Sequence, residues 1–461
     1  MALSTPLQTR RRWSLSLAIV LAVLVTALPA QVSAAAQDPV LEWIKITNDQ
    51  IIGAGTSPLA SARQVAMVAS AIFDAVNGIE PRFQSIHVKA RGPRHASQRA
   101  AAIQAAYAIL IKLYSTPAQV AALTVRRDAS IAAISSGPGA ERPHAIAAGI
   151  AWGQAVADGI FAWRATDGFN PNPAPAFLGS LGRPVAGVWR PTPRTDAAPG
   201  TPGAPGAGPQ FATMTPWVIR RPSQFRPAVA YASPLTGQVD LTSAAYLADY
   251  QETKLMGAYA GPRTADQSEL ALFWAGNTSL FWNRIAIQAS TARHLTFGEN
   301  VRLFALLNLT LGDAAIICWD AKYRYVLWRP VTAIREGNID PDPTWRPWIE
   351  SFPATSPSGV TPAHPEFPSG HSTLSGAATA ILGAAFGDDT PFTIDSDVRP
   401  GTRSFPSFSA ALAEIHDARV FAGIHWRTAC RTGSAMGEAL AAYVSSHALR
   451  ERDGDDHEER R

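Results

Sequence analysis

Cysteine is nearly absent from this chain: Cys318 and Cys430 are the only two in 461 residues, so no disulfide framework organises it. The pair leaves two readings open, a bridge if their segments lie side by side or two buried free thiols. No CxxC and no Cys/His ligand cluster occurs, which disfavours a zinc centre. Charge is scarce too. Of the 40 basic side chains, Arg10, Arg11 and Arg12 fall in the first 36 residues, which carry no acid, leaving 37 basic against 36 acidic. That balance gives no footprint for a nucleic-acid partner. Also missing are strand alternation long enough for a sheet, an internal repeat and, past the leader, a second apolar run of the ~20 residues that span a bilayer. An integral-membrane protein is therefore disfavoured.

What is present begins with a leader. A basic region ending at Arg12, an apolar run from Leu15 to Leu28 and the small residues Val32-Ser33-Ala34-Ala35-Ala36 have the three-part layout of a secretory signal. Cleavage is expected after Ala34 or Ala36, giving an exported protein, periplasmic or extracellular, with no stable membrane span. Thr9-Arg10-Arg11-Arg12-Trp13 resembles a twin-arginine signal.

From Asp38 the text reads as helix after helix. Ser57-Pro58 supplies a cap and a first-turn proline, and Val65, Val68, Ile72, Phe73 and Val76 follow at helical spacing. Alanine-rich helices are expected near 97–114, 117–135 and 143–165. Between about Asp167 and Pro227, proline and glycine crowd into Asn170-Pro171-Asn172-Pro173 and Ala198-Pro199-Gly200-Thr201-Pro202-Gly203-Ala204-Pro205, where no packed helix can form. Val188-Trp189-Arg190 and Pro216-Trp217-Val218-Ile219 offer aromatic anchors, so this stretch is expected to cross the surface of one helical body as a long loop. Helices resume near 243–260, 265–290 and 298–328. The expected organisation is a signal peptide (1–36), an N-terminal helical region (37–166), a Pro/Gly-rich loop region (167–240), a catalytic helical region (241–450) and a charged, disordered tail (451–461). The fold class is all-α.

Three clusters in the second half carry chemistry: Lys322 with Arg329-Pro330, then Pro368-Ser369-Gly370-His371, then Arg419, Gly423 and His425. The cationic side chains, a serine hydroxyl and a glycine N–H are nearly all donors, a set that suits a tetrahedral oxyanion. Ser369 and Gly370 stand before the apolar run Ser372 to Phe386, at an expected helix start, where unpaired N–H groups favour anions. Leu311 to Trp328 reads as a helix that presents Lys322 and Arg329 on nearly one face and is ended by Pro330. Arg419 and His425 fall in a helix-like run from Phe408. Only the two histidines can bond to a bound centre or move protons near neutral pH.

Lys-x6-Arg-Pro, Pro-Ser-Gly-His and Arg-x3-Gly-x-His, in this order, resemble the signature of the type 2 phosphatidic acid phosphatase (PAP2) and vanadium-dependent haloperoxidase superfamily, and the general character resembles its bacterial, exported haloperoxidase-like proteins. The resemblance implies a helical bundle and a vanadate cofactor, with His425 as the axial vanadium ligand. Lys322, Arg329, Ser369, Gly370 and Arg419 would hold the oxygens, Lys322 would polarise bound peroxide, and His371 would act as acid and base. His364, seven before His371, resembles the residue of bromide-oxidising rather than chloride-oxidising relatives. The implied partners are hydrogen peroxide, a halide and a small organic acceptor. A PAP2-type phosphatase acting on phosphate monoesters through a phosphohistidine at His425 is the alternative, and a non-catalytic oxyanion-binding protein a third. The superfamily's usual third motif has Ser before its Arg and Asp four after its His, where this chain has Ala418 and Ala429. Loss of that acid weighs more on a nucleophile, which must be poised, than on a metal ligand, which a backbone carbonyl can orient, and so favours vanadium.

Overall fold

Capping residues mark most of the helix starts. Asp38 Oδ1 accepts from Val40 N at 2.7 Å and Ser97 Oγ from Ala100 N at 2.8 Å, while Thr264 and Thr296 form capping boxes with Gln267 and Glu299; each such cap contributes roughly 0.5–2 kcal/mol. The computed structural model describes residues 38–452 apart from Pro138, Arg183, Pro234 and Leu235. The expected signal peptide and nearly all of the charged tail lie outside the described residues.

The helices are α1 (Pro39–Gly53), α2 (Pro58–Ile79), α3 (Gln98–Leu113), α4 (Pro117–Ser135), α5 (Pro143–Ala165), α6 (Ala244–Met256), α7 (Ala265–Phe273), α8 (Thr278–Arg293), α9 (Phe297–Tyr325), α10 (Pro330–Glu336), α11 (Gly370–Phe386), α12 (Phe408–Phe421) and α13 (Arg427–His447). Among the described residues the only sheet is an antiparallel pair, β1 (Phe392–Asp395) and β2 (Thr402–Phe405), with Phe392 opposite Phe405. The fold is thus all-α, as the sequence implies.

Helix α9 is the axis of the core, buried almost without interruption from Asn300 to Lys322 and packed against α2, α11 and α13. Helices α11 and α13 cross closely because glycines lie between them. A Cβ on Gly376 would stand 2.4 Å from Ser434 O, and one on Gly437 would stand 2.1 Å from Thr373 O. The crossing holds the start of α11 beside the start of α13.

Two expectations are corrected here. Three helices, α2, α5 and α9, are long and apolar enough to cross a membrane by length and composition, so a second apolar run does exist. In α2 and α9 that apolarity serves the interior, where 83% and 94% of the apolar window is buried. In α5 only 33% is buried, and the outward residues include Ala147, Ala151, Ala155 and Ala162, which raise hydropathy while exposing little surface. The second correction is at 265–290, where α7 and α8 replace one helix. Asn277 caps the second of them, its Oδ1 accepting from Ser279 N at 3.2 Å, and the turn Trp274 to Asn277 is freed to face the site.

Among its described residues, the segment between α5 and α6 contains no helix other than two short 3₁₀ turns, Pro209–Thr213 and Pro222–Phe225, and it is fixed to the helices by specific bonds. Asp313 of α9, buried, accepts from the N–H groups of Trp217 (2.7 Å), Val218 (2.9 Å) and Ile219 (3.0 Å). Trp189 N donates to Val326 O at 2.8 Å, Arg226 forms a two-bond ion pair with Asp320, and Trp319 Nε1 donates to Ala207 O at 2.9 Å. The segment frames the C-terminal end of α9, where the first motif lies.

Candidate active site

The three motifs meet at helix ends. Lys322 lies in the last turn of α9, which stops three residues later because Val326 turns left-handed at φ +53°. An extended stretch then carries Arg329 to the N-cap of α10. The expected helix through Trp328 is therefore too long, and Pro330 opens a helix instead of ending one, in keeping with proline's preference for the first turn. Ser369 is the N-cap of α11, with Gly370 and His371 its first two residues. Arg419 is in the last turn of α12, but His425 is not helical. It lies in the turn before α13, where Gly423 adopts φ +75° and a Cβ would stand 2.6 Å from Gly257 O. A single helix from Phe408 to His425 is thus ruled out by the glycine that the motif contains.

Lys322 Nζ is fully buried and donates to Pro365 O (2.8 Å) and Glu366 O (2.9 Å). Burial pulls its ammonium down to about 7. Arg329 donates from Nε to His364 O at 2.9 Å, from Nη1 to Ile424 O at 2.8 Å and His425 Nε2 at 3.1 Å, and from Nη2 to His364 Nδ1 at 2.9 Å. Burial lowers it to about 9 and Arg419 to about 10. Arg419 gives one hydrogen bond to the protein, Nη1 to Trp274 O at 3.0 Å, and its buried Nε has no partner. Ser369 Oγ accepts from Ser372 Oγ at 3.0 Å and from Ser372 N at 3.4 Å, which leaves its own proton to be donated. The N–H groups of Gly370 and His371 precede the first bond of the helix, Thr373 N to Ser369 O at 2.9 Å, as at any helix start.

The histidines are held neutral. Burial is the first cause for all three, reinforced by Arg419 for His371, Arg329 for His425 and Lys322 for His364, and each falls well below the ordinary imidazole value. His371 Nε2 lies 3.0 Å from Gly276 O; a carbonyl only accepts, so Nε2 carries the proton. His364 packs over Trp319 with ring centroids 4.8 Å apart.

The sequence reading missed Glu366. Its Oε1 lies 2.8 Å from His425 Nδ1 and accepts from Trp426 N at 3.0 Å, so a carboxyl group and not a backbone carbonyl faces the imidazole. Burial pushes this carboxyl up to about 8. The one available signal was a lone acid between Pro365 and Phe367 inside the second motif stretch. The carbonyls of Trp274, Gly276 and Ile424 were also missed, since main-chain acceptors leave no residue signature. Cys318 and Cys430 are free and buried. Ala418 and Ala429 are fully buried.

The residues present fit a tetrahedral or trigonal-bipyramidal oxyanion. The orphaned, buried Nε of Arg419 needs an acceptor that no protein atom supplies, and leaving such a donor unpaired costs about 1–3 kcal/mol. Lys322 and the start of α11 add donors, and His425 contributes the neighbouring lone pair. Among the described residues no group of three or more His, Cys, Asp or Glu could hold a simple metal cation.

A family model described as the VCPO second helical-bundle domain matches residues 302–454. The vanadium chloroperoxidase of Curvularia inaequalis is 27% identical over 223 aligned positions, covering 36% of each chain; the match thus spans about a third of that relative's length. Among solved structures, the first bacterial vanadium-dependent iodoperoxidase superimposes with a TM-score of 0.73 at 26% identity, over 90% of this chain and 98% of that one. The apo-type bacterial vanadium-dependent chloroperoxidase shares the fold, with a TM-score of 0.62 at 18% identity over 85% and 95% of the two chains.

Proposed function

We propose that this chain, which is similar to vanadium haloperoxidases in sequence and fold, works as one of them and oxidises halide, bromide or iodide in preference to chloride, with hydrogen peroxide at a vanadate site, delivering the oxidised halogen to a small organic acceptor. The observation that carries this reading is the lone pair of His425 Nε2. Arginine can only donate, so the 3.1 Å contact from Arg329 Nη1 marks Nε2 as the basic nitrogen, set among three buried cations.

Vanadate, when bound, supplies a Lewis-acidic centre that activates peroxide toward two-electron oxidation of the halide. His425 Nε2 would bind the vanadium. Lys322, Arg329, Arg419, the Ser369 hydroxyl and the Gly370 N–H would hold the oxygens and neutralise their charge, in a buried setting where each donor is worth more than in bulk. Lys322, lowered to about 7 by burial, regains its proton as an anion arrives and can polarise the peroxide. His371, neutral and at the start of α11, would serve as the acid and base that accepts and returns a proton there. His364, over Trp319 and tied to Arg329, is the candidate residue on the halide side, and the likeness to an iodoperoxidase supports the preference for the softer halides. The leader-like residues 1–36 add the proposal that the enzyme works outside the cytoplasm.

Purified protein given vanadate, peroxide and bromide or iodide is expected to halogenate a phenolic dye, and protein stripped of vanadate is not. Hydrolysis of p-nitrophenyl phosphate is expected to be slow and inhibited by vanadate. Brisk hydrolysis with no halide oxidation in the loaded protein would overturn the reading.

A further inference from the structure

His425 is gripped from both ends, and the two grips agree. At Nε2 the partner is Arg329 Nη1 (3.1 Å), a group with only protons to give, so Nε2 carries none. At Nδ1 the partner is Glu366 Oε1 (2.8 Å). The same oxygen takes the Trp426 N–H at 3.0 Å, which marks it as an acceptor and places the proton of this pair on Nδ1. One neutral tautomer satisfies both bonds. Helix α13 offers no substitute: Ala429 is buried without a polar side chain, and its carbonyl is engaged by Ser369 N at 3.0 Å.

The carboxyl comes from a strap with other duties at the site. His364 O takes Arg329 Nε at 2.9 Å, and Pro365 O and Glu366 O take Lys322 Nζ at 2.8 and 2.9 Å. Three consecutive residues thus set two of the cations and, through one side chain, the ring of His425.

We propose that Glu366 is the positioning residue of His425: its Oε1 holds the Nδ1–H tautomer and directs the Nε2 lone pair at the bound oxyanion, the task that an acid at position 429 would otherwise perform. This rests on the vanadate reading for the identity of the oxyanion, while the tautomer itself does not depend on it. Ligand-orienting partners of this kind typically change affinity by about 10–100-fold when removed.

A purely structural Glu366 would cap the Trp426 N–H and leave the imidazole proton where it was. Nitrogen-15 spectra of the imidazoles, recorded at neutral pH on the whole protein without vanadate, separate the two roles. Wild type is expected to show His425 protonated at Nδ1 and bare at Nε2. Glu366→Gln, which keeps an acceptor oxygen, is expected to show the same, and Glu366→Ala to move population to the Nε2–H form. Equilibrium dialysis with vanadate alone should then give about 10–100-fold weaker binding for Glu366→Ala and a change within about threefold for Glu366→Gln. An Nε2–H tautomer in wild type overturns the proposal, as does unchanged affinity in Glu366→Ala or an equal loss in both variants. If Glu366→Ala does not fold, the wild-type spectrum still tests the proposal, because an Nε2–H tautomer there overturns it. Failure of every protein, wild type included, to bind vanadate would reject the functional reading, and the spectra would still settle the tautomer.

Discussion

Burial lowers the titration of the histidines of the site, and this direction can be measured. His364, His371 and His425 all have imidazoles lowered well below the usual value, burial first and the neighbouring cations second. They are neutral at pH 7, and their ring signals in an NMR titration of the free protein should hold still from pH 8 to about 6, where an ordinary histidine is half protonated near 6.5. The sign for stability follows. As pH falls below the ordinary histidine value the unfolded chain takes up protons that the folded one refuses, so these three groups progressively destabilise the fold on acidification. Histidine signals moving together near pH 6.5 would contradict the buried site. A second expectation concerns His371. His371→Ala should retain vanadate, because the cations and His425 remain, and lose turnover by about 10²–10⁴-fold, the usual worth of an acid–base group; steady-state kinetics beside dialysis checks both halves. At this scale the sequence was informative where side-chain identity carries the role, as with Lys322, Ser369 and the histidines. It was silent where the role falls to Trp274 O or Gly276 O, and Glu366 escaped notice because its partner lies 59 positions away in the chain.

Helix boundaries, more than helices, make the pocket. The alanine-rich helices α3, α4 and α5 stand where composition places them, with side-chain caps at Ser97 and Thr116 for the first two, since nothing tertiary competes with strong propensity there. Two of the misread boundaries lie at the site. Lys322 and Arg329 seemed to share a helix, but Val326 at φ +53° ends α9, a conformation that a β-branched residue adopts at a cost. His425 seemed helical, but Gly423 breaks the run. Gly423→Ala puts a Cβ into a left-handed turn 2.6 Å from Gly257 O; it should cost about 1–3 kcal/mol in urea unfolding and weaken vanadate binding by displacing His425. Loss of stability with unchanged vanadate affinity would show that the turn does not position the histidine. Asp313 is the corresponding element-scale clamp on the long loop. Asp313→Ala leaves three backbone N–H groups without their acceptor and should destabilise the protein by roughly 3 kcal/mol or more, with new protease cleavage near Trp217 to Ile219 as its local mark.

On the scale of the whole molecule, one body of helices brings together side chains more than a hundred positions apart, Lys322 and His425 among them, and leaves a buried cluster of positive charge that an anion would relieve. An oxyanion that binds only the folded protein should therefore stabilise it. At a vanadate concentration about 100 times its Kd the gain is about 2.7 kcal/mol, visible as a rise in Tm, with phosphate giving a smaller rise by competing for the same donors. The fold class and the convergence of the motifs were legible because three ordered motifs on helical text have few ways to share one anion. The burial of α2 and α9 was not, because apolar length alone does not distinguish a core helix from a membrane span. The central claim, that the cations and the His425 lone pair form a single vanadate site, is tested most directly by an anomalous-scattering map at the vanadium edge from vanadate-soaked crystals. The account predicts one peak per chain, at bonding distance from His425 Nε2 and ringed by Lys322, Arg329, Ser369 and Arg419. A peak elsewhere, or an empty pocket at saturating vanadate, would contradict it.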